Sequence, residues 1–520
     1  MSAWSWLAVV VAILVAAYLA FRLWVWRTSR RRNDAGIVTE GRGLVLGTFV
    51  GRRVLRRAWM RVRMLVASRE RRKQLDEQTR IQSAAEAAKL LGGMKGVFMK
   101  LGQIVSFAHD ALPDAAKVHL QALQKDAPPM AFDLARQVIE EELGGDLGKH
   151  FKHVDEKPLA AASIGQVHRA RLRDGTDVVI KVQYPGVDAA IEGDLAALGK
   201  MTGMAAMFNR SVDFPTVLAE LRARVVEELD YRREARNQAL FRRLWDGHPM
   251  IRVPRVHAAQ TTKRVLTSEF VRGFGFYDFI EAADAREKLV ASATISDFVF
   301  DSMFCHLVYN GDPHPGNYLF HEDGAVTFLD FGCVKRFSPA AMADLKRFFR
   351  AILEEDRATH DEYVVKLGLV LAGRDWDHDR MWEHWRYHLE PYWSGDFAFT
   401  PEYLARGRVV MSPENTRDMN LPPDLLFFTR ITFGLNAISQ KLGSAGNFNK
   451  AARRHFYVHA DATSALGLAG VVVPEHFRHL PQAVRPGQAV AELEASDQLP
   501  SWDAIAEPAA DPGIAAAESV

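Results

Sequence analysis

Residues 309–332 read YNGDPHPGNYLFHEDGAVTFLDFG. Within this stretch Asp312 and Asn317 form D-x-x-x-x-N, the catalytic-loop spacing of phosphoryl-transfer enzymes, and Asp330 opens a D-F-G. The chemistry such a set could do follows from its oxygens. Mg²⁺ is a hard cation that takes carboxylate and amide-carbonyl donors. Asp330 would bridge metal and phosphates, Asn317 would take a second metal, and Asp312 would orient the nucleophile or accept its proton. Taken alone, the stretch is equally a polar turn between two strands, because Gly, Pro, Asn and Asp are turn residues.

Upstream residues bear on the choice. Lys181 sits in VVIKV (178–182), matching the V-A-I-K strand lysine. A lysine among apolar neighbours is costly unless its ammonium meets an anion, and phosphate oxygens with a carboxylate would satisfy it. Residues 214–245, FPTVLAELRARVVEELDYRREARNQALFRRLW, read as one long charged helix. Glu227, Asp230 and Glu234 are spaced three and four apart, so on that helix they share a stripe that could pair with Lys181 or simply face solvent. No G-x-G-x-x-G precedes the lysine; PLAAASIGQVHRA (158–170) stands there. Alanines keep their Cβ atoms and restrict the backbone, so this loop should hold phosphates differently. No A-P-E follows the D-F-G, which argues against a peptide-substrate platform.

The elements that would carry these residues are legible in outline. Residues 81–150 read as helices, and 155–185 as two Val/Ile-rich strands joined at an Asp-Gly turn. RVLTSEFVRG is a further strand, and the chain from about 275 to 470 is mainly helical. A small strand-rich unit before a larger helical one is the outline of an α+β, two-lobed protein-kinase-like fold. The 520 residues allow two or three units; 48% are hydrophobic and 25% charged, both ordinary for a folded protein. Cys305 and Cys333 make no disulfide framework, which points to a reducing compartment.

Charge is uneven despite a net of +2. The opening MSAWSWLAVVVAILVAAYLAFRLWVW has no charged side chain before Arg22, and tryptophans flank it. That length and those flanks predict a single-pass transmembrane anchor over 1–26 rather than a signal peptide. RTSRRRN follows, so the positive-inside rule places the rest of the chain on the cytoplasmic side of an inner membrane. The basic residues of 27–84 could lie along anionic lipid or be solvated; no nucleic-acid motif accompanies them, so nucleic acid is not an expected partner. Residues 476–520 form an acidic, Pro/Ala-rich tail expected to be disordered.

FMKLGQIVS (98–106), AAASIGQVHRA (160–170), VVIKVQYPGV (178–187), EELDYRREARN (227–237), GDPHPGN (311–317) and LDFG (329–332) resemble the UbiB/ADCK family of atypical kinase-like proteins over roughly residues 85–460. The resemblance implies ATP and Mg²⁺ as cofactors, membrane association, and a role supporting ubiquinone or related isoprenoid-lipid metabolism. It implies a helical extension (85–152) folded over the cleft, an N-lobe (153–272) and a helical C-lobe (273–475). Lys100 and Gln103 would reach into the cleft, with Lys100 countered by Glu228 and Asp230. Glu234 would partner Lys181. Ala160, Ala161, Ala162, Ser163, Ile164, Gly165, Gln166 and Val167 would form the nucleotide loop, and Glu269 to Val271 would present backbone to adenine.

The sequence departs from the family in having Asn310 where a histidine is usual, and in an N-terminal rather than C-terminal membrane segment. The activity expected is that of a membrane-anchored atypical kinase-like ATPase, with Lys100 over the phosphates blocking bulky acceptors. Its partners would be the lipid bilayer and isoprenoid-quinone intermediates or quinone-biosynthesis enzymes. The alternatives are a nucleotide-binding pseudokinase scaffold at the membrane and a small-molecule phosphotransferase.

Overall fold

The computed structural model describes residues 130–162, 164–193, residue 195 and, from residue 222, a chain that runs with short gaps to residue 477. The expected anchor, the basic stretch, Lys100 and Gln103, Ser163, Glu227 and the acidic tail beyond 480 lie outside the described residues. Among the described residues no helix is long and apolar enough to cross a membrane. By density of contacts the chain divides into two compact units. The described residues of the first fall within Met1–Glu141, Asp155–His168 and Lys181–Val225, those of the second within Glu142–Val154, Arg169–Ile180 and Val226–Val520.

Six strands come early: β1 (Phe151–Val154), β2 (Ala160–Ala161), β3 (Gly165–Leu172), β4 (Asp177–Gln183), β5 (Ile251–Arg252) and β6 (Val265–Glu269). Five of them form one sheet in the order β1-β3-β4-β6, with β2 paired to β3. On β4 the side chains alternate as a pleated strand requires: Val178, Ile180 and Val182 are fully buried, while Asp177, Val179 and Lys181 are half-buried. The Asp-Gly turn joins β3 to β4 as its sequence predicts. Asp174 accepts from Thr176 N at 2.9 Å, and Gly175 takes φ +96°, which costs glycine little.

Helix α1 (Phe132–Leu143) precedes the sheet and α2 (Tyr231–Leu244) follows it. The single long helix expected over 214–245 is broken. Leu229 is a turn and Asp230 is extended (φ −119°, ψ 96°), capping α2 by accepting from Arg232 N. Tyr231 N meanwhile bonds to Lys263 O at 2.9 Å. An aspartate competes for nearby backbone N–H groups and favours a cap over a helix interior, so Asp230 caps the helix that carries Glu234 and is not on a helical stripe with it. Glu234 lies in the first turn of α2 and is buried.

The second unit continues through α3 (Phe276–Ala282), α4 (Ala285–Phe304), β7 (Val308–Asn310), β8 (Tyr318–Phe320), β9 (Val326–Phe328), β10 (Val334–Arg336), α5 (Pro339–Leu353), α6 (Arg357–Lys366), α7 (His378–Trp393), α8 (Pro401–Val410), α9 (Pro423–Lys441), α10 (Phe448–Phe456) and α11 (Ala465–Leu468). The central helix is α4, opened by a reciprocal Asp284–Glu287 capping box and buried on nearly every side from Val290 on. Beyond its end Leu307, with φ +58°, swings the chain into β7; the strain, about 1–2 kcal/mol, is held by close packing of that buried side chain.

A buried ion cluster ties α4 to the last helices. Arg454 donates to both carboxylate oxygens of Asp301 and, at 3.0 Å, to Asp297. Asp297 also accepts from Ala465 N and Leu466 N at the start of α11, each at 2.9 Å. Burial, outweighing Arg454, pushes Asp297 up to about 6. At Asp301 burial is overridden by Arg454 and the His455 hydrogen bond, which hold it below the usual carboxylate range. Asp301, Cys305 and His455 are close enough to ligate a cation together. The guanidinium already fills that role, and burial pushes the Cys305 thiol up to about 12.

Two outcomes follow for stability. Arg454→Leu leaves two buried carboxylates uncompensated and should cost about 3–5 kcal/mol in urea unfolding. Burial lowers His306 from 6.5 to about 4, so the unfolded chain takes the proton first as pH falls. Stability should therefore drop between pH 6.5 and 4, by roughly 3 kcal/mol, and His306→Gln should flatten that part of the profile.

Candidate active site

The loop between β7 and β8 owes its shape to its own polar residues. His314 N bonds to Asp312 O at 2.7 Å and Asn317 N to His314 O at 2.9 Å, while His314 Nδ1 accepts from Gly316 N at 3.0 Å. Asn317 closes the loop through Nδ2, which donates to Asp312 O at 3.1 Å and its carboxylate Oδ2 at 3.4 Å. That leaves the Asn317 carbonyl Oδ1 as its acceptor. Asp312 and Asn317 are thereby brought together, as the D-x-x-x-x-N spacing requires.

Asp330 reaches the same place from β9. Leu329 N bonds to Asn317 O at 3.0 Å, and β8 pairs antiparallel with β9, Tyr318 opposite Phe328. On the far side of the D-F-G, Gly311 N bonds to Cys333 O at 2.6 Å and β10 pairs with β7, Val334 opposite Asn310. Asn310 fastens the two loops directly. Its Nδ2 donates to Asp330 O, and its Oδ1 accepts from Asp312 N at 3.2 Å. The residue standing where the family has histidine therefore braces the loop itself.

Asp330 Oδ1 accepts from Gly332 N at 2.9 Å. A Cβ on Gly332 would lie 3.3 Å from Asp330 Oδ1 and 3.6 Å from Glu234 Oε2, so the glycine leaves room where these two carboxyl groups converge. Two residues outside the expected set complete the frame. Asn237, one turn after Glu234 on α2, donates to Phe331 O at 3.1 Å, and the Phe331 ring packs 5.0 Å from Phe241. Gly434 on α9 lies against the loop: a Cβ there would sit 2.7 Å from Pro313 Cγ. Asn237 was legible as a polar residue three after Glu234; nothing local marks Gly434.

The other expected residues are placed as follows. Asp230 is committed to Arg232, which it meets at 2.7 Å and 2.9 Å as well as through the cap. Glu228 is half-buried. Glu269 N and Phe270 N bond to Arg255 O and Asp177 O, and Glu269 Oε2 accepts from Arg255 N. Val271 is half-buried. In the first unit, Lys181 lies on β4, and the Ala160–Val167 stretch is a tight hairpin. Ala160 faces Val167, Ala161 faces Gln166, and Ala162 N bonds to Gly165 O at 2.9 Å. Ile164 O accepts from Tyr184 N at 2.9 Å, which fixes the hairpin beside the end of β4.

Residues 122–364 match the model of the ABC1 atypical kinase-like domain. An uncharacterised aarF domain-containing protein kinase of Arabidopsis thaliana chloroplasts is 34% identical over 291 residues, 55% of this chain and 41% of that one. The probable protein kinase UbiB of Marinobacter nauticus is 32% identical over 283 residues, 53% of this chain and 52% of that one. The chain thus spans about half the length of the curated relatives it matches. A solved structure from Mycobacterium tuberculosis, the complex of Rv3197 with erythromycin, is similar with a TM-score of 0.55 at 29% identity, over 73% of this chain and 97% of that one. The fold is kinase-like α+β, as the order of elements led one to expect.

Removing the brace isolates its contribution. Asn310→Ala deletes both side-chain bonds and should cost about 1–3 kcal/mol, with faster amide hydrogen exchange at Asp312. Gly434→Ala should separate stability from loop geometry. Helix propensity gains about 1 kcal/mol while the new methyl displaces Pro313, and a double-mutant cycle with Pro313→Ala should show coupling above about 0.5 kcal/mol.

Proposed function

We propose, from the premise that this chain belongs to the aarF/UbiB family through its ABC1 atypical kinase-like domain, that it binds Mg²⁺–ATP and turns it over as an atypical kinase-like ATPase. One observation carries this reading: the Asn310 amide holds the Asp312 loop and Asp330 in register. Asp330 offers a carboxylate and Asn317 an amide carbonyl, both hard donors suited to Mg²⁺, and the missing side chain at Gly332 leaves space beside them. When bound, the metal would neutralise charge on the phosphates. Asp312 would orient the attacking water or alcohol and accept its proton.

Lys181 is the cation proposed for the phosphates, with Glu234 in the carboxylate role that the family resemblance implies. The main chain of the Ala160–Val167 hairpin would approach the phosphates, and Glu269 to Val271 the adenine. Lys100 and Gln103 keep their proposed gating role. The proposal extends to a membrane-anchored protein, held by residues 1–26 and the basic stretch after them, that supports isoprenoid-quinone metabolism at the inner membrane. The alternative of an inert scaffold would draw on Asn310 standing where a histidine is usual; a brace that keeps Asp312, Asn317 and Asp330 together supports turnover instead.

The full chain, incubated with Mg²⁺–ATP with and without anionic phosphatidylglycerol vesicles, should release phosphate. Asp330→Asn should lower that rate by about 10²-fold or more, and Asp312→Ala should lower turnover while nucleotide affinity stays within a few-fold. Neither binding nor hydrolysis under either condition would defeat the proposal. The metabolic part is tested separately: cells lacking the protein should show an altered isoprenoid-quinone profile, restored by wild type and not by Lys181→Ala.

A further inference from the structure

Gln166 and His168 are two apart on β3, share a face, and are both fully buried. Such polar groups must be hydrogen-bonded, and their partners lie outside any nucleotide chemistry. Gln166 Oε1 accepts from Met130 N at 3.0 Å, and Gln166 Nε2 donates to Met130 O at 3.2 Å. The same Nε2 lies 2.8 Å from His168 Nε2, and His168 Nδ1 lies 2.8 Å from Asp155 O.

Donor accounting fixes the protons. Asp155 O can only accept, so His168 carries its proton on Nδ1 and presents a lone pair at Nε2. The Met130 N–H likewise fixes the Gln166 amide with its oxygen toward it, leaving two N–H groups for Met130 O and His168. A side-chain amide thus grips both polar groups of one main-chain residue, as a neighbouring strand would. That residue stands where the described chain begins, two positions before α1. Gln166 also faces Ala161 in the hairpin register, at the base of the Ala160–Ile164 loop.

We infer that Gln166 is a positioning residue, a latch that ties the chain entering at Met130 to the base of the alanine-rich hairpin and holds only while His168 is neutral. That the hairpin faces a nucleotide rests on the function proposed above; the latch does not. A proton on His168 Nε2 would set a donor against the Gln166 donor. Turning the amide over would then oppose its NH₂ to Met130 N–H, so no arrangement satisfies all four groups. Among the described residues, three further groups stand near His168. Phe132 of α1 packs its ring 5.4 Å away, Arg136 lies over the Phe132 ring, and Asp155 is the carboxylate that acts on it. Burial outweighs Asp155 and lowers His168 from its ordinary 6.5. The open form therefore takes the proton first, and below pH 6.5 the opening constant should rise about tenfold per pH unit until the latched histidine itself titrates.

Hydrogen exchange at Met130 in the full chain without nucleotide, corrected for intrinsic rates, reads the latch directly. Wild type should lose protection severalfold between pH 7.5 and 5.0, and His168→Phe, which cannot protonate, should show a flat profile. Gln166→Glu, isosteric but without donors, should raise Met130 exchange at least tenfold at pH 7.5. Unchanged Met130 protection across that pH range in wild type overturns the latch. So does a Gln166→Glu variant in which Met130 stays as protected as in wild type at pH 7.5. Wild-type protein that binds no nucleotide defeats the functional reading alone, since the pH profile of Met130 still decides the latch.

Discussion

Everything chemical in the second unit hangs on one side-chain amide. Asn310 presents a donor to Asp330 O and an acceptor to Asp312 N, so a single planar group sets the separation of two loops that come from opposite ends of a β-hairpin. A carboxylate at this position could not donate, and an aliphatic side chain could do neither; a neutral amide does both without adding charge beside Asp312 and Asp330. The surrounding backbone pairs reinforce that choice. The β7–β10 and β8–β9 ladders converge on Asn310 and Asp330, and Leu329 N reaches back to Asn317 O.

Rigid packing stands behind the polar loops. Phe331 is fully buried against Phe241, and Asn237 clasps its carbonyl, so α2 fixes the D-F-G from behind while Glu234 on the same helix faces Asp330 across Gly332. From below, Gly434 lets α9 approach Pro313 closely enough that any side chain there would collide. Such close packing transmits displacement instead of absorbing it, which is why residues far from the loop in sequence act on its geometry.

The two units solve a common problem by different means. In the helical unit, the charge of Arg454 is matched by Asp297 and Asp301, and the cost of desolvating the three is offset in part by hydrogen bonds, including those from the N–H groups that open α11, while Arg454 Nε meets no partner among the described residues. In the first unit, Gln166 and His168 find partners for their polar groups without formal charge. An ion cluster locks elements permanently, whereas a neutral network that depends on one histidine tautomer can be opened by a single proton.

Much of this was readable from residue order. The Val/Ile alternation around Lys181, the Asp174-Gly175 turn, the D-x-x-x-x-N and D-F-G spacings and the change from strands to helices are local signals, set by backbone sterics and by side-chain periods of two and 3.6. The helix expected over 214–245 failed where two local preferences competed, because Asp230 is both tolerable inside a helix and better at its cap, and the Tyr231–Lys263 contact decided between them. What Asn310, Gln166, Asn237 and Gly434 do could not be read in the same way. A buried amide can satisfy many partners, and a glycine fits any close approach. Which partner each one meets is decided only when chain segments tens of residues apart are brought within hydrogen-bonding or van der Waals distance.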